Sequence, residues 1–206
     1  VNTILMSFLK KINTSLPENI VMNPRRMVLG LVITDGVGVR NFVRGRFLLV
    51  ALERFDTIQI YSGVGLDAFG IYSSHPKIKI IGLELYRESR MASFWRKAAE
   101  LSHLYRFRTA AMSEMIRISK ANGFSFYAIR TRLSSLVARL MAFFHIQNLA
   151  GKLHESCIAQ NELTQQYIDL IKIQQPDVLF FTHQRPPQVA PLAVAAKKVG
   201  IPAVSY

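Results

Sequence analysis

The polar residues whose types suit chemistry first appear after an apolar run near the start of the chain. Asp35 comes directly after RMVLGLVIT (26–34), and a carboxylate can accept the proton of a substrate hydroxyl. The glycine-bearing turn that follows can aim backbone amides at an anion where a helix begins near Asn41. An ordinary turn without a ligand explains the same residues equally well. The residues predicted to bind substrate here are Gly36, Gly38, Arg40 and Asn41.

A second polar segment, THQRPPQ (182–188), follows another short apolar run. His183 can act as a base, or it can bind a phosphate or hydroxyl group. Pro186 and Pro187 stiffen the loop and delay the start of the next helix. A single loop histidine without any role in catalysis is the alternative interpretation. The residues predicted to bind substrate in this loop are Gln184 and Arg185.

The glycine turn does not match the fingerprint of a dinucleotide-binding enzyme. The third glycine of G-x-G-x-x-G permits close helix–strand packing, and Asn41 stands at that position here. The second predicted strand ends in YSG (61–63), without the acidic residue that would hold a ribose. The chain also lacks the phosphate-loop motif G-x-x-x-x-G-K-[ST]. We therefore predict no nicotinamide or flavin cofactor.

Metal sites and disulfides are not predicted either. The other four histidines lack the short spacings of zinc ligands, and Cys157 is the only cysteine. A single cysteine excludes an intramolecular disulfide, which fits a reducing compartment. No apolar run approaches the roughly 20 residues of a membrane-spanning helix, and no secretion signal opens the chain. We predict a cytoplasmic protein that is at most peripheral on the inner face of a membrane.

The apolar runs predict a fold that brings Asp35 and His183 together. The last two predicted strands are joined by an Ala-rich helix, which makes them a parallel βαβ unit. We predict a Rossmann-like α/β domain with a parallel sheet, helices on both faces and a helical insertion at about 88–150. Because parallel strands end at one edge, Asp35 and His183 are expected to lie close together and to face a cleft. The predicted strands lie near 27–34, 56–62, 76–85, 177–182 and 201–205.

The predicted helical insertion is strongly basic. The whole chain has a net charge of +13. Between Tyr86 and Lys152 there are 12 Lys or Arg residues and 3 acidic residues, a net charge of +9. Such a field favours a polyanionic partner, whether an anionic membrane, a phosphorylated substrate or nucleic acid. A solvated basic surface without a partner is the alternative.

One predicted helix of this region, IRTRLSSLVARLMAFF (129–144), carries an apolar stripe. We expect this stripe to pack in the core, since a domain of this size needs helices to cover its sheet, and we assign Arg132 and Arg139 to the opposite face. A helix that lies in a membrane interface is the second interpretation. The stripe consists of Ile129, Leu133, Leu136, Val137, Leu140, Phe143 and Phe144.

Two segments of the chain resemble a known family. They are VITDGVGVRNF (32–42) and QPDVLFFTHQRPPQVAPLAVAAKKVGIPAVSY (175–206). The second combines P-D before an apolar strand, a polar loop, an Ala-rich helix and G-I-P before a final strand. This pattern is similar to the amino-terminal, acceptor-binding half of GT-B fold glycosyltransferases of polysaccharide and surface-carbohydrate biosynthesis. The resemblance covers both ends of the chain and leaves the helical middle unassigned.

The resemblance implies a transferase that moves a sugar from a nucleotide-sugar donor to a glycan or lipid-linked acceptor. In such enzymes a second Rossmann-like half binds the donor, and the reaction occurs in the cleft between the halves. We therefore expect a chain that is truncated before its donor-binding domain and inactive without it. Within the chain we predict a lead segment (1–25) and an acceptor-binding domain (26–206). No metal ion takes part in this interpretation.

The resemblance also implies roles for individual residues. The loop after the first strand lines the cleft, and Asp35 matches the position of a catalytic base there. The chemistry of the second loop, and not the resemblance, makes His183 the second predicted catalytic residue, and His183 or Arg185 is expected to steady the acceptor or its phosphate. The basic helices at 88–150 would face an anionic membrane or a lipid-linked acceptor.

Two other functions remain open at the level of the sequence. The charge also fits a basic α/β module that binds nucleic acid or another anion, although no recognition helix, aromatic sheet signature or zinc unit is present in the sequence. The same architecture also serves sugar-phosphate enzymes such as epimerases.

Overall fold

The computed structural model describes residues 26–84, 86–107, 109–119, 126–183 and 187–205. The predicted lead segment (1–25) and the predicted binding residues Gln184 and Arg185 lie outside these described residues. The chain divides into two compact units. We call residues up to 86 together with those from 166 onward the sheet unit, and residues 87–165 the helical unit.

The sheet unit contains a five-stranded sheet with the strand order β3-β2-β1-β4-β5. Every neighbouring pair of strands is parallel. The prediction of a parallel, Rossmann-like sheet flanked by helices is therefore confirmed. The strands are β1 (Val28–Ile33), β2 (Thr57–Ser62), β3 (Ile78–Gly82), β4 (Val178–Phe181) and β5 (Ala203–Ser205).

The strand order reverses direction between β1 and β4. β1 pairs with β2 on one side and with β4 on the other, so that Val32 lies opposite both Tyr61 and Phe181. Open parallel sheets bind ligands beyond the carboxyl ends of the strands at such a reversal. The residues that directly follow β1 and β4 therefore lie where sheets of this kind bind their ligands.

Seven α-helices lie within the described residues, and two shorter helical turns lead into the first. Asp35 is followed by a helical turn (Gly36–Gly38) and a π-helical turn (Val39–Val43). The continuous helix begins only at Arg46, later than the sequence indicates. The helices are α1 (Arg46–Arg54), α2 (Arg90–Arg106), α3 (Ala110–Ser119), α4 (Phe126–Phe143), α5 (Gln147–Ala159), α6 (Glu162–Gln174) and α7 (Ala190–Val199).

Two aspartates fix the start of the sheet at its amino-terminal edge. The Asp56 carboxylate accepts a hydrogen bond from the Met27 backbone N–H at 2.8 Å. The Asp177 carboxylate accepts one from the Val28 N–H at 2.7 Å. Both side chains satisfy backbone N–H groups at the start of β1. A backbone N–H group that is left unpaired would cost the fold free energy. Asp56 and Asp177 thus have a structural role at the edge opposite to Asp35.

The core of the sheet unit consists of large apolar side chains. Leu29, Leu31 and Ile33 of β1 are fully buried. Phe180 of β4 packs against Phe42 and Phe47, with ring centroids 5.5 Å and 5.1 Å apart. Burial of aromatic rings of this size is a major source of stability. The nearly continuous apolar runs of β1 and β4 therefore behave as their sequence predicts for strands of a parallel sheet.

The helical unit is held together by contacts between α2, α4 and α5. Ala98, Met141 and Ala150 form its buried cluster. The Tyr105 hydroxyl hydrogen-bonds to the Ser135 hydroxyl at 2.6 Å. This unit includes the whole of the predicted insertion and extends to residue 165.

Six of the seven side chains in the apolar stripe of α4 do not pack in the core as predicted. The seventh, Val137, is half-buried against the cluster of Ala98, Met141 and Ala150. The largest side chains of the stripe are exposed, whereas the opposite side of the same helix is buried. That buried side carries small and polar residues, which allow the neighbouring helices α2 and α5 to approach closely. The buried residues of α4 are Ala128, Thr131, Ser134, Ala138 and Met141.

The placement of two arginines is corrected as well. At about 100° per residue, Arg132 and Arg139 fall at the border of the stripe and not opposite to it. Both side chains are exposed, and the Arg139 guanidinium lies over the Tyr105 ring at 5.3 Å from its centroid. The face opposite to the stripe is the buried one, so it cannot accommodate these charges.

No helix in the described part of the chain combines the length and the hydropathy that a membrane crossing requires.

Candidate active site at the sheet edge

Asp35 and His183 form a pair at the carboxyl-terminal edge of the sheet. The distance between Asp35 Oδ2 and His183 Nε2 is 3.2 Å. The two side chains are 45% and 38% exposed, so the pair is open to a ligand. The prediction that these residues lie close together is confirmed. They follow β1 and β4, the two strands between which the strand order reverses.

The turn after β1 holds the Asp35 carboxylate in place. Asp35 has an extended backbone and caps the helical turn that follows, because its Oδ1 accepts a hydrogen bond from the Gly38 N–H at 2.7 Å. Its carbonyl oxygen accepts a second bond from the Val39 N–H at 3.2 Å. Aspartate is among the preferred residues for such a cap. Oδ1 of Asp35 therefore stabilises the turn, and Oδ2 faces His183.

The end of β4 holds the His183 ring. Its Nδ1 lies 3.2 Å from the Thr182 hydroxyl. That hydroxyl is buried and donates a hydrogen bond to the Val32 carbonyl of β1 at 3.0 Å. The Thr182 backbone N–H donates to the same carbonyl at 3.1 Å. The register between β1 and β4 therefore determines where His183 stands.

Nε2 is the His183 nitrogen that faces the Asp35 carboxylate. Because a carboxylate only accepts hydrogen bonds, Nε2 is the donor of this contact. Nδ1 faces the buried Thr182 hydroxyl. The two contacts together fix the orientation of the imidazole ring at the edge of the sheet.

The two glycines of the turn have different roles. A Cβ at Gly38 would lie 3.0 Å from the Thr182 hydroxyl oxygen and 3.1 Å from Ile33 Cγ2, which is tighter than ordinary contact. A Cβ at Gly36 would meet nothing within 4 Å. Gly38 therefore lets the turn approach the strand ends that carry the pair. Gly36 is exposed and is not required by packing.

The other predicted binding residues of the turn do not take part in the pair's contacts. Arg40 and Asn41 are exposed, and Arg40 Nε donates a hydrogen bond to Asn41 Oδ1 at 3.4 Å. They lie on the π-helical turn (Val39–Val43), and single π-helical turns are frequent beside functional sites. The structure thus brings Asp35, Gly38 and His183 together. Arg40 and Asn41 follow Gly38 closely in sequence but make no contact with the pair that the structure shows.

Sequence reasoning missed two residues of this region. Thr182 is the first, because its role depends on which carbonyl of β1 lies opposite. Gly45 is the second: a Cβ there would collide with the Asn41 backbone carbonyl, because the chain folds back over that carbonyl before α1. In the sequence, the role of Gly45 could have been found from a glycine just ahead of a helical run. The role of Thr182 could have been found from a hydroxyl at the end of a strand.

A second charged group lies in the helical unit and has a structural role. Arg96 forms two parallel hydrogen bonds to the Glu88 carboxylate, each 2.9 Å long, and a third to Glu100 at 2.7 Å. His154 of α5 lies 3.3 Å from Glu88. Burial would raise the pKa of Glu88, but hydrogen bonds and charge from Arg96 and His154 hold that pKa below its ordinary value. Burial lowers the pKa of His154, and Glu88 offsets part of that effect.

Within the described ranges, His, Cys, Asp and Glu side chains nowhere gather in threes that could hold a metal ion.

The fold and the edge position together define a class: a Rossmann-like α/β domain with a carboxylate–histidine pair at its strand-order reversal. The chain matches no protein-family model, no curated protein and no solved structure. Function must therefore be argued from the pair and its surroundings.

Proposed function

We propose that the sheet unit is the acceptor-binding half of a glycosyltransferase that uses a nucleotide-sugar donor. The single observation that carries this proposal is the contact of 3.2 Å between Asp35 and His183 at the carboxyl edge of the sheet. The resemblance of the two flanking segments to GT-B enzymes supplies the reaction class. The donor would bind to a second Rossmann-like half, and the acceptor would be a glycan or a lipid-linked sugar.

Asp35 is the proton acceptor in this proposal. Its Oδ1 is used by the Gly38 N–H, whereas Oδ2 has lone pairs beyond the one that faces His183. A hydroxyl of the acceptor can hydrogen-bond to Oδ2 and transfer its proton there as its oxygen attacks the anomeric carbon of the donor sugar. The bond from that carbon to the nucleotide phosphate then breaks, and its electron pair leaves with the nucleoside diphosphate.

His183 positions the carboxylate in this scheme. Its ring is fixed by the buried Thr182 hydroxyl on one side and contacts Asp35 on the other. The Nε2 donor beside the carboxylate orients Oδ2, and it could also donate a hydrogen bond to a phosphate oxygen of an anionic ligand. We therefore expect His183→Gln to lower turnover less than loss of the Asp35 charge does.

The test is sugar transfer by the full-length protein with a panel of nucleotide sugars and glycan acceptors, measured as released nucleoside diphosphate. Asp35→Asn should lower kcat by about 10²–10⁴-fold, the usual contribution of a general base. The acceptor KM should stay nearly unchanged. Asparagine also caps helices well, so the turn and the fold should persist.

Asp56→Asn is the matched control. Asp56 also accepts a hydrogen bond from a backbone N–H, but at the amino-terminal edge of the sheet. Its substitution should leave kcat unchanged. Near-normal turnover of Asp35→Asn would show that Asp35 is only a turn residue. Failure of the wild-type protein to release nucleoside diphosphate from any donor would reject the transferase assignment itself.

A further inference from the structure

The apolar stripe of α4 is the largest feature that the proposed function does not use. Six of its side chains are between 51% and 76% exposed. The first five recur at intervals of four and three residues, which keeps them on one side of a helix about 27 Å long, and Phe144 follows directly after its end. We call this set the α4 stripe. It consists of Ile129, Leu133, Leu136, Leu140, Phe143 and Phe144.

Exposure of the stripe is not the result of a loosely attached helix. The opposite face of α4 is buried, including Ala138 with no exposed surface and Met141 in the cluster with Ala98 and Ala150. The Tyr105 hydroxyl of α2 also fixes the helix through its hydrogen bond to Ser135. The helix is therefore oriented by contacts within its own unit, and that orientation turns the stripe outward. Isolated exposed apolar residues are common, but a contiguous set this long marks an interaction surface.

Arginines border the stripe on both sides. Arg132 and Arg139 fall beside it on one flank, and Arg130 falls on the other, at about 100° per residue. The segment 126–143 contains no acidic residue. An apolar face with basic residues along its borders is the pattern of a helix that lies in the plane of a membrane interface. Long arginine side chains can reach the headgroups while the apolar face enters the acyl boundary.

The charge also argues against a second copy of this chain as the occupant. Two copies of α4 packed stripe to stripe would set arginines beside arginines, with no acidic side chain on the helix to pair with them. An anionic lipid surface supplies the opposite charge, and each Lys or Arg near such a surface adds to binding. The net charge of +9 between Tyr86 and Lys152 acts in the same direction.

The stripe continues past the end of α4. The Phe143 and Phe144 rings contact each other edge to face, with centroids 5.1 Å apart, and Ile146 and Leu149 after them are exposed as well. Aromatic rings are well suited to the boundary between headgroups and acyl chains.

We propose that the α4 stripe is a membrane-binding surface that inserts into the interface of bilayers rich in anionic lipids. This inference rests on the helical unit and holds whether or not the sheet unit transfers sugar. It requires no membrane-spanning helix.

Co-sedimentation of the full-length protein with vesicles tests this inference. The protein should bind vesicles that mix phosphatidylcholine with phosphatidylglycerol and should bind phosphatidylcholine alone at least about tenfold more weakly. Added salt should weaken the binding to the mixed vesicles, because it screens the charges.

Two variants separate the apolar and the charged contributions. Leu133→Ser with Leu140→Ser should lower partitioning into the mixed vesicles by about 100-fold, because two apolar side chains no longer enter the bilayer. Arg132→Gln with Arg139→Gln should lower it by about tenfold and leave binding to phosphatidylcholine unchanged. Circular dichroism should show both variants folded, since all four side chains are exposed.

Matched controls lie in the sheet unit. Leu66 and Ile71 are exposed apolar residues of a 3₁₀-helical segment, 63% and 85% exposed. Arg46 and Arg54 are exposed arginines of α1. The same substitutions to Ser and Gln at these positions should leave vesicle binding unchanged.

Three outcomes would overturn the proposal. One is an absence of binding to the mixed vesicles. Another is vesicle binding that the Leu133→Ser and Leu140→Ser variant retains in full. The third is concentration-dependent self-association that this variant abolishes, without vesicle binding by the wild type, which would assign the stripe to a second copy of the chain.

Discussion

The strands of the sheet unit and the helix α4 of the helical unit treat their large apolar side chains in opposite ways. In the sheet unit, Leu31 of β1 and Phe180 of β4 are buried between neighbouring elements. In the helical unit, Leu133 and Phe143 of α4 face outward, and Ala138 on the same helix is fully buried. The sheet unit therefore gains stability from its large residues. The helix α4 packs mainly through its small residues and leaves its largest apolar side chains exposed.

The charged groups differ between the units in a complementary way. Glu88 and Arg96 in the helical unit satisfy each other with two parallel hydrogen bonds and are largely shielded. Asp35 and His183 in the sheet unit share one contact at an open edge. A pair whose hydrogen bonds are satisfied and which is shielded from solvent has little capacity to bind a ligand. A pair at an open edge can bind one. This difference is the reason why we propose chemistry for the sheet unit and membrane binding for the helical unit.

The largest effect that tests this comparison is a matched pair of leucine truncations. Leu31→Ala should destabilise the protein by about 2–5 kcal/mol, because Leu31 is fully buried and the truncation leaves a cavity. Leu133→Ala should change stability by less than about 0.5 kcal/mol, as expected at an exposed site. Urea denaturation followed by circular dichroism measures both.

The same two variants can also contradict the contrast between the two units. A loss for Leu133→Ala as large as that for Leu31→Ala would mean that the α4 stripe is covered by protein in solution. The contrast between the two units would then disappear, and so would the case for a membrane-binding surface.

A smaller effect is expected from acidification of the helical unit. Burial lowers the pKa of His154 in the folded protein, so the unfolded chain binds more protons below the ordinary histidine value of about 6.5. Stability of this unit should therefore fall as the pH drops through that value toward the lower folded pKa. Glu88, whose folded pKa is also below its ordinary value, adds a further loss at more acidic pH.

Hydrogen exchange of α2 and α5 amides between pH 7.5 and 5.5 measures this change, after correction for the intrinsic rate. The loss should be smaller than that from Leu31→Ala, and His154→Gln should remove its first step. A helical unit that becomes more stable on acidification would contradict the assigned role of His154.

Local sequence pattern predicted most of the sheet unit. Continuous apolar runs indicated β1 and β4, and the Ala-rich helix that ends at Gly200 indicated a parallel connection between β4 and β5. The rule that parallel strands share one carboxyl edge was enough to predict that Asp35 and His183 meet. That prediction needed no knowledge of any individual contact.

The remaining features depend on partners that periodicity does not identify. The spacing of Leu133 and Leu140 shows that they share a face of α4, but not which face finds a protein partner. Packing through small residues turned that face outward. The role of Thr182 depends on the register of β4 against Val32, and that of Gly45 on a carbonyl four residues earlier. The sugar-transfer reaction stays a prediction, supported by resemblance and by the position of the pair.

The contact between Asp35 and His183 carries the functional assignment, and the ¹⁵N–¹H signals of the His183 ring test it most directly. His183→Gln identifies these signals among those of the five histidines. Asp35→Asn should shift the His183 signals, because it replaces a charged oxygen that lies 3.2 Å from Nε2. Asp56→Asn should leave them in place. His183 signals that are the same in the Asp35→Asn variant as in the wild type would contradict the contact, and with it the proposed active site.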